Sequence, residues 1–173
     1  RDRIRGLEFR RVLFRSVGLG IRKIRLTGGE PLVRKGILDL VSLLRPIPGL
    51  EILGMTTNGT LLATVASELK ARGLDSVNIS LDTLDPGRYS ALTRGGRLTD
   101  ALSGIDAAVR AGLPVKINTV VFDGDPEGDL ERVAAFCEER GLRHQRIRQY
   151  DLAGLKQDQR SEEHTSELQS PNT

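Results

Sequence analysis

Cysteine occurs once, as Cys137. One thiol excludes an internal disulfide framework and any all-cysteine metal site within the chain. No run approaches the roughly eighteen uninterrupted apolar residues that span a membrane, and no signal-peptide pattern opens the chain. No membrane partner and a cytoplasmic location are therefore expected. The G-x-G-x-x-G dinucleotide fingerprint is missing, because Gly28-Gly29-Glu30-Pro31 has the wrong spacing and runs into proline. No G-x-x-x-x-G-K-[ST] loop occurs either, which argues against P-loop hydrolysis. What is present is a chain of 173 residues, 38% apolar and 28% charged, the make-up of a globular domain with a sizeable core.

An isoelectric point near 9.3 and a net charge of +3 invite a nucleic-acid reading. The two ends remove it. Leu7–Ser16 reads LEFRRVLFRS, and Arg160–Gln169 reads RSEEHTSELQ. With suitable codons, the reverse complement of DNA encoding the first translates into the second, residue for residue. The DNA string resembles a common short-read sequencing-library adapter, present once in each orientation. Residues 1–16 and 160–173 are accordingly expected to be non-native flanks, and 17–159 the native core. The flanks hold seven of the 26 basic residues and five of the 23 acidic ones. The window between them keeps 19 basic and 18 acidic residues, a net of +1, and no nucleic-acid partner is expected.

Within the window, strand-like and helix-like runs alternate. Strands are expected at Lys23–Leu26, Glu51–Thr56, Ser76–Leu81, Val115–Phe122 and Arg143–Arg148. Apolar stripes at three- and four-residue steps lie between and after them: Ile37, Leu38, Val41 and Leu44; Leu61, Leu62, Val65 and Leu69; Leu102, Ile105 and Val109; Leu130, Val133 and Phe136. Gly73, Gly112 and Gly141 follow three of these helices where a left-handed residue ends the last turn. Such alternation predicts an α/β fold with a parallel sheet and right-handed crossovers, either an open doubly wound sheet or a (β/α) barrel.

The chemically unusual residues fall where strands end: Thr27-Gly28-Gly29-Glu30-Pro31, Thr56-Thr57-Asn58-Gly59 and Ser80-Leu81-Asp82, with Lys116 and Asn118 on the fourth strand. In a barrel, these ends gather around one mouth. Adjacent glycines let a ligand approach the backbone, and Glu30 can accept hydrogen bonds from a cationic amine. Thr57, Asn58 and Ser80 offer short neutral groups for a ribose or a carboxylate. Arg25 and Lys116 are fixed positive charges suited to phosphate oxygens. Each has a plainer role available: turns for T-G-G-E-P and N-G, surface charge for Arg25 and Lys116, helix initiation for Asp82 and Asp85. Cys137 fits the core, and His144 lacks a catalytic partner nearby in sequence.

IRLTGGEPLVRKGI, MTTNGTLL, VNISLDTLDP and VKINTV, in this order, resemble the radical S-adenosylmethionine (SAM) superfamily. Within it they are similar to the GTP 3',8-cyclase (MoaA) family of molybdenum-cofactor biosynthesis, over roughly Gly18 to Arg148. The resemblance implies a partial (β/α) TIM-like barrel of about five strand–helix units whose first strand is missing. It implies that Gly28, Gly29 and Glu30 hold the methionine amino group of SAM, and that Ser80 binds its ribose or carboxylate. Arg25, Thr56 and Lys116 match positions that hold GTP. The implied chemistry is reductive cleavage of SAM by an iron–sulfur cluster, followed by hydrogen abstraction from the GTP ribose. Partners would be GTP and an electron donor; the oligomeric state is left open. The family's C-x-x-x-C-x-x-C cluster motif and a second cysteine set would lie outside this window. The [4Fe-4S] ligands are thus expected elsewhere in the parent protein, and the chain alone is expected to be inactive. At the last strand, Ile147-Arg148-Gln149-Tyr150-Asp151-Leu152-Ala153 departs from the family pattern, with Ala153 where a SAM-contacting methionine belongs. A related radical enzyme acting on a peptide, a non-radical phosphate-binding barrel and a non-catalytic binding module stay open as alternatives.

Overall fold

A computed structural model describes residues 2–121, 124, 126 and 128–148, with side chains from residue 10 onward. The second flank, Phe122 and the Gln149–Ala153 departure lie outside the described residues. Helix α1 (Asp2–Gly18) precedes four strand–helix steps and a fifth strand. They are β1 (Lys23–Leu26), α2 (Ile37–Leu44), β2 (Ile52–Thr57), α3 (Leu62–Ala71), β3 (Ser76–Ser80), α4 (Pro86–Thr93), α5 (Leu98–Arg110), β4 (Val115–Val121), α6 (Asp129–Glu139) and β5 (Arg143–Arg148). All neighbouring strands pair in parallel, in the order β1-β2-β3-β4-β5.

That order separates the two α/β architectures left open by sequence. A doubly wound sheet reverses its strand order at a switch point; this sheet never does. Sequential order with crossovers of one hand puts the helices on one face, as in a (β/α) barrel. The sheet is not closed: among the described residues, nothing pairs with the outer edge of β1 or of β5.

Strand parity builds the core. Leu53, Met55, Val77, Ile79, Val115 and Ile117 are buried beneath the helices, against Val41, Leu44, Leu62, Leu69, Ile105 and Val133. The intervening strand residues face the other way, into the hollow of the sheet. The first residues of β1 and β5, Lys23 and Arg143, line one cavity there, so the free face is concave. The helices depart from the expected stripes in detail. Leu61 precedes α3 and Val109 is half-exposed, while Ala66, Ala101 and Ala108 are buried instead. Small residues bring α3 and α5 close together, which a reading of large apolar side chains undervalues. Gly73, Gly112 and Gly141 all take positive φ, and Leu74, Leu113 and Leu142 hydrogen-bond back to Leu69, Ala108 and Cys137 at 3.0, 3.0 and 2.8 Å. These closures end three helices as expected.

Helix α4 has no apolar stripe in the sequence, but it starts where Asp85 was expected to initiate a helix. Asp85 caps it by accepting from the Arg88 N–H at 2.6 Å, and Pro86 occupies its first turn. Asp82 has a different role: it accepts from the Val120 N–H at 2.7 Å, tying the β3 end to β4. Cys137 is 1% exposed in the core, where burial pushes its thiol pKa up. His144 pairs with Thr119 at 2.9 Å, and Thr119 also donates to the Leu81 carbonyl at 2.8 Å. With that hydroxyl proton committed, Nε2 of His144 carries the proton of the shared bond. Burial, and next the charge of Arg146, lower the His144 pKa.

Candidate functional site

The strand registers sort the concave face into rows. Arg25, Gly54 and Ser76 are paired across β1, β2 and β3. Two residues further toward the strand ends come Thr56, Asn78, Lys116 and Arg143, across β2 to β5. The next row holds Ser80, Asn118 and Gln145. Neighbouring strands stand about 4.8 Å apart and alternate residues about 6.6 Å along a strand. A ligand of ordinary metabolite size would touch several rows at once.

Arg25 is seated by its neighbour. Its Nη1 donates to the Met55 carbonyl at 3.2 Å, and its guanidinium lies over Gly54, where an added Cβ would stand 3.1 Å away. Glycine at position 54 makes that seat. Arg25 lines two cavities. One, of about 560 Å³, runs along Thr27, Gly28, Gly29, Glu30 and Pro31. The other, of about 500 Å³, lies at the strand starts with Lys23, Glu51, Asp75 and Arg143. Lys23 and Arg143 were missed by sequence reasoning, although Lys23 stands two residues before Arg25 and so shares its face. Lys116 donates to Gln145 Oε1 at 2.5 Å, which leaves two of its three N–H groups for other acceptors.

The G-G turn divides its two glycines by cause. Gly28 has φ +149°, a backbone region that side-chain-bearing residues rarely enter. Gly29 has no such requirement, and a Cβ there would meet no atom of the chain within 4 Å. Its bareness leaves the backbone open toward the cavity. Glu30 behaves differently from the expectation. Its Oε1 accepts from Thr57 Oγ1 at 2.7 Å and from the Leu32 N–H at 3.0 Å, while Oε2 accepts from the Asn58 N–H at 2.7 Å. The carboxylate therefore pins the G-G-E-P turn onto the T-T-N-G turn.

Thr57 must be corrected as a ligand group, and the side-chain oxygen of Asn58 as a ligand acceptor. Thr57 is 3% exposed and spends its hydroxyl on Glu30 and the Gly59 N–H, while Asn58 Oδ1 accepts from the Thr60 N–H and hydroxyl. Their side chains point inward because they brace the turn. On the concave face the reverse holds. Among the described residues, the side chains of Thr56, Asn78, Ser80 and Asn118 make no hydrogen bond, and the Asn118 Oδ1 is buried without a partner. The side-chain oxygens of the two turn residues are taken; those of these four face residues are not.

A SAM molecule fits these features. Gly28 and Gly29 leave backbone bare beside a cavity, and the unpartnered Asn118 oxygen sits next to Ser80, suited to a hydroxyl or amine donor. An iron–sulfur cluster does not fit among the chain's own ligands, because the one cysteine is in the core on α6. No group of three or more His, Cys, Asp or Glu side chains suited to a metal ion occurs among the described residues.

The chain matches the radical SAM superfamily over residues 8–137. It is 54% identical over 137 residues to a GTP 3',8-cyclase of Heliobacterium modesticaldum, covering 77% of this chain and 42% of that protein. A GTP 3',8-cyclase of Petrotoga mobilis is 50% identical over 133 residues, covering 76% of this chain and 41% of the relative. The chain thus spans about two fifths of these curated relatives. Among solved structures, Streptococcus suis SuiB bound to S-adenosylmethionine gives a TM-score of 0.72 at 20% identity, over 93% of this chain and 39% of that one. The native enzyme anSMEcpe with bound AdoMet gives 0.64 at 18%, over 80% of this chain and 41% of that one. These two likenesses concern the fold.

Proposed function

This chain belongs to the radical SAM superfamily, whose members use SAM with [4Fe-4S] clusters, and on that premise we propose that it is part of a GTP 3',8-cyclase. The observation that carries the reading is the concave face: two seated cations, Arg25 and Lys116, beside hydrogen-bonding side chains with no partner among the described residues. Cations on fixed strands hold a triphosphate without moving to meet it. Thr56 shares the row of Lys116, and Ser80 lies one row nearer the strand ends.

In this reading the residues divide by task. Gly28 and Gly29 hold the methionine end of SAM through their backbone, and Ser80 takes its ribose or carboxylate. Glu30 acts one step removed, by fixing the height of the G-G turn against β2. Arg25, Thr56 and Lys116 hold GTP, the two cations meeting the triphosphate. SAM, when bound, supplies hydrogen-atom abstraction from the substrate ribose. The chain's part is to set the substrate sugar one row below the SAM sugar, about 6.6 Å along the strands, and to exclude water there. The cluster cysteines belong to other parts of the parent protein, and an electron donor is a separate partner. The native core is read as 17–159 and its compartment as the cytoplasm. A phosphorylated substrate is favoured over a peptide because both seated groups on this face are cationic.

Equilibrium binding of GTP to the chain tests the reading. Arg25→Ala and Lys116→Ala are each expected to weaken GTP binding by about tenfold, the worth of one charged hydrogen bond, with little change in melting temperature. GTP affinity that neither substitution lowers would overturn the assignment.

A further inference from the structure

Asn78 stands at the centre of the concave face and has no counterpart among the residues singled out above. Val77 and Ile79 on either side are wholly buried beneath the helices, so strand parity turns Asn78 to the hollow. The register sets it between Thr56 on β2 and Lys116 on β4. It is only 8% exposed, yet its carboxamide has no hydrogen-bond partner among the described residues.

A buried amide is normally retained because it satisfies a backbone group or another side chain. This one satisfies neither, and the ladders to β2 and β4 already use the backbone groups of β3. Neither amide atom is among the fully buried side-chain atoms that lack a partner, so the tip of the amide opens on the hollow, where a ligand can reach it. Valine or isoleucine would serve a parallel strand better here. The remaining use for the amide is an external partner.

We propose that Asn78 is a further substrate-binding residue, whose carboxamide hydrogen-bonds the vicinal hydroxyls of a nucleoside triphosphate's sugar. This deepens the GTP reading and rests on it. Lys116, in the same row, keeps two N–H groups for phosphate oxygens, so a triphosphate there brings its sugar alongside Asn78. Sugar hydroxyls both donate and accept, as a carboxamide does. Ser80 and Asn118 lie one row nearer the strand ends, where the buried Asn118 oxygen extends the same unpartnered strip.

The test compares the unaltered chain with Asn78→Val, using GTP, 2',3'-dideoxy-GTP and inorganic tripolyphosphate as probes. The unaltered chain is expected to bind GTP about tenfold more tightly than the dideoxy analogue. Asn78→Val is expected to bind the two alike, at the weaker level, with tripolyphosphate affinity unchanged. Its melting temperature is expected to hold, since an amide with no partner among the described residues is replaced by a strand-forming apolar residue. Retention of the hydroxyl preference by Asn78→Val would overturn the proposal while leaving the GTP reading intact. A fall in melting temperature together with lost tripolyphosphate affinity would also overturn it, in favour of a structural role. Failure of the unaltered chain to bind GTP or tripolyphosphate would remove both.

Discussion

Glu30 shows how a residue with an obvious chemical use can be committed elsewhere. A carboxylate beside two glycines reads as a cation acceptor, and sequence offers no sign that three donors have already claimed it. Two of those donors come from residues 27 and 28 positions further along the chain. Replacing Glu30 by Gln keeps the shape but turns an acceptor into an NH₂ facing an N–H. The expected loss is about 2 kcal/mol, the range for a hydrogen bond to a charged group, read from the urea midpoint. A midpoint unchanged within a few tenths of a kcal/mol would show that the clasp contributes nothing. Asn78 is the opposite case, since its alternation with Val77 and Ile79 is visible in the sequence. The signal lies inside V-N-I-S-L-D, where Asn78 shares the face of Ser80.

At the level of elements, the position of the site depends on how closely α5 approaches the turn after β2. A Cβ built on Gly104 would stand 1.9 Å from the carbonyl oxygen of Gly59, the last residue of T-T-N-G. Backbone meets backbone there, and no side chain can yield. Gly104→Ala is expected to cost about 3 kcal/mol, at the upper end of overpacking. Gly112→Ala, with φ +70° but open space around it, is expected to cost about 1 kcal/mol. Chemical denaturation of both variants checks the contrast, and equal losses would refute the close-approach account. The strands themselves were legible: β5 falls where expected, and β2 is displaced by one residue. Helix α4 was legible only at its start, Asp85, because its eight residues carry one buried side chain, Tyr89, and hence no stripe.

For the molecule as a whole, the decisive property is an open sheet. Intact barrels have no edges, whereas here β1 and β5 each present an unpaired row of N–H and C=O groups among the described residues. The chain is expected to self-associate through these edges. Size-exclusion chromatography should show earlier elution as concentration rises. A monomer at every concentration, melting in one sharp transition, would refute this. The cavity beside the G-G turn is lined by the end of β1, the turn itself and Ile37 and Leu40 of α2.

The amino-acid sequence by itself determined the alternation of strands and helices, the glycine stops, and the family through G-G-E-P, T-T-N-G, N-I-S-L-D and V-K-I-N. These are local: each rests on periodicity or on residues close together in the chain. The alternation by itself left open whether the sheet was doubly wound or a barrel, because both have the same local pattern, while the family resemblance implied the partial barrel. Strand order and register decided that, and with it the rows in which Arg25, Thr56, Asn78, Lys116 and Ser80 lie. Only the tertiary structure could separate saturated polar groups from unpartnered ones. A hydrogen bond depends on where two distant parts of the chain are brought together, and no spacing within one motif records that.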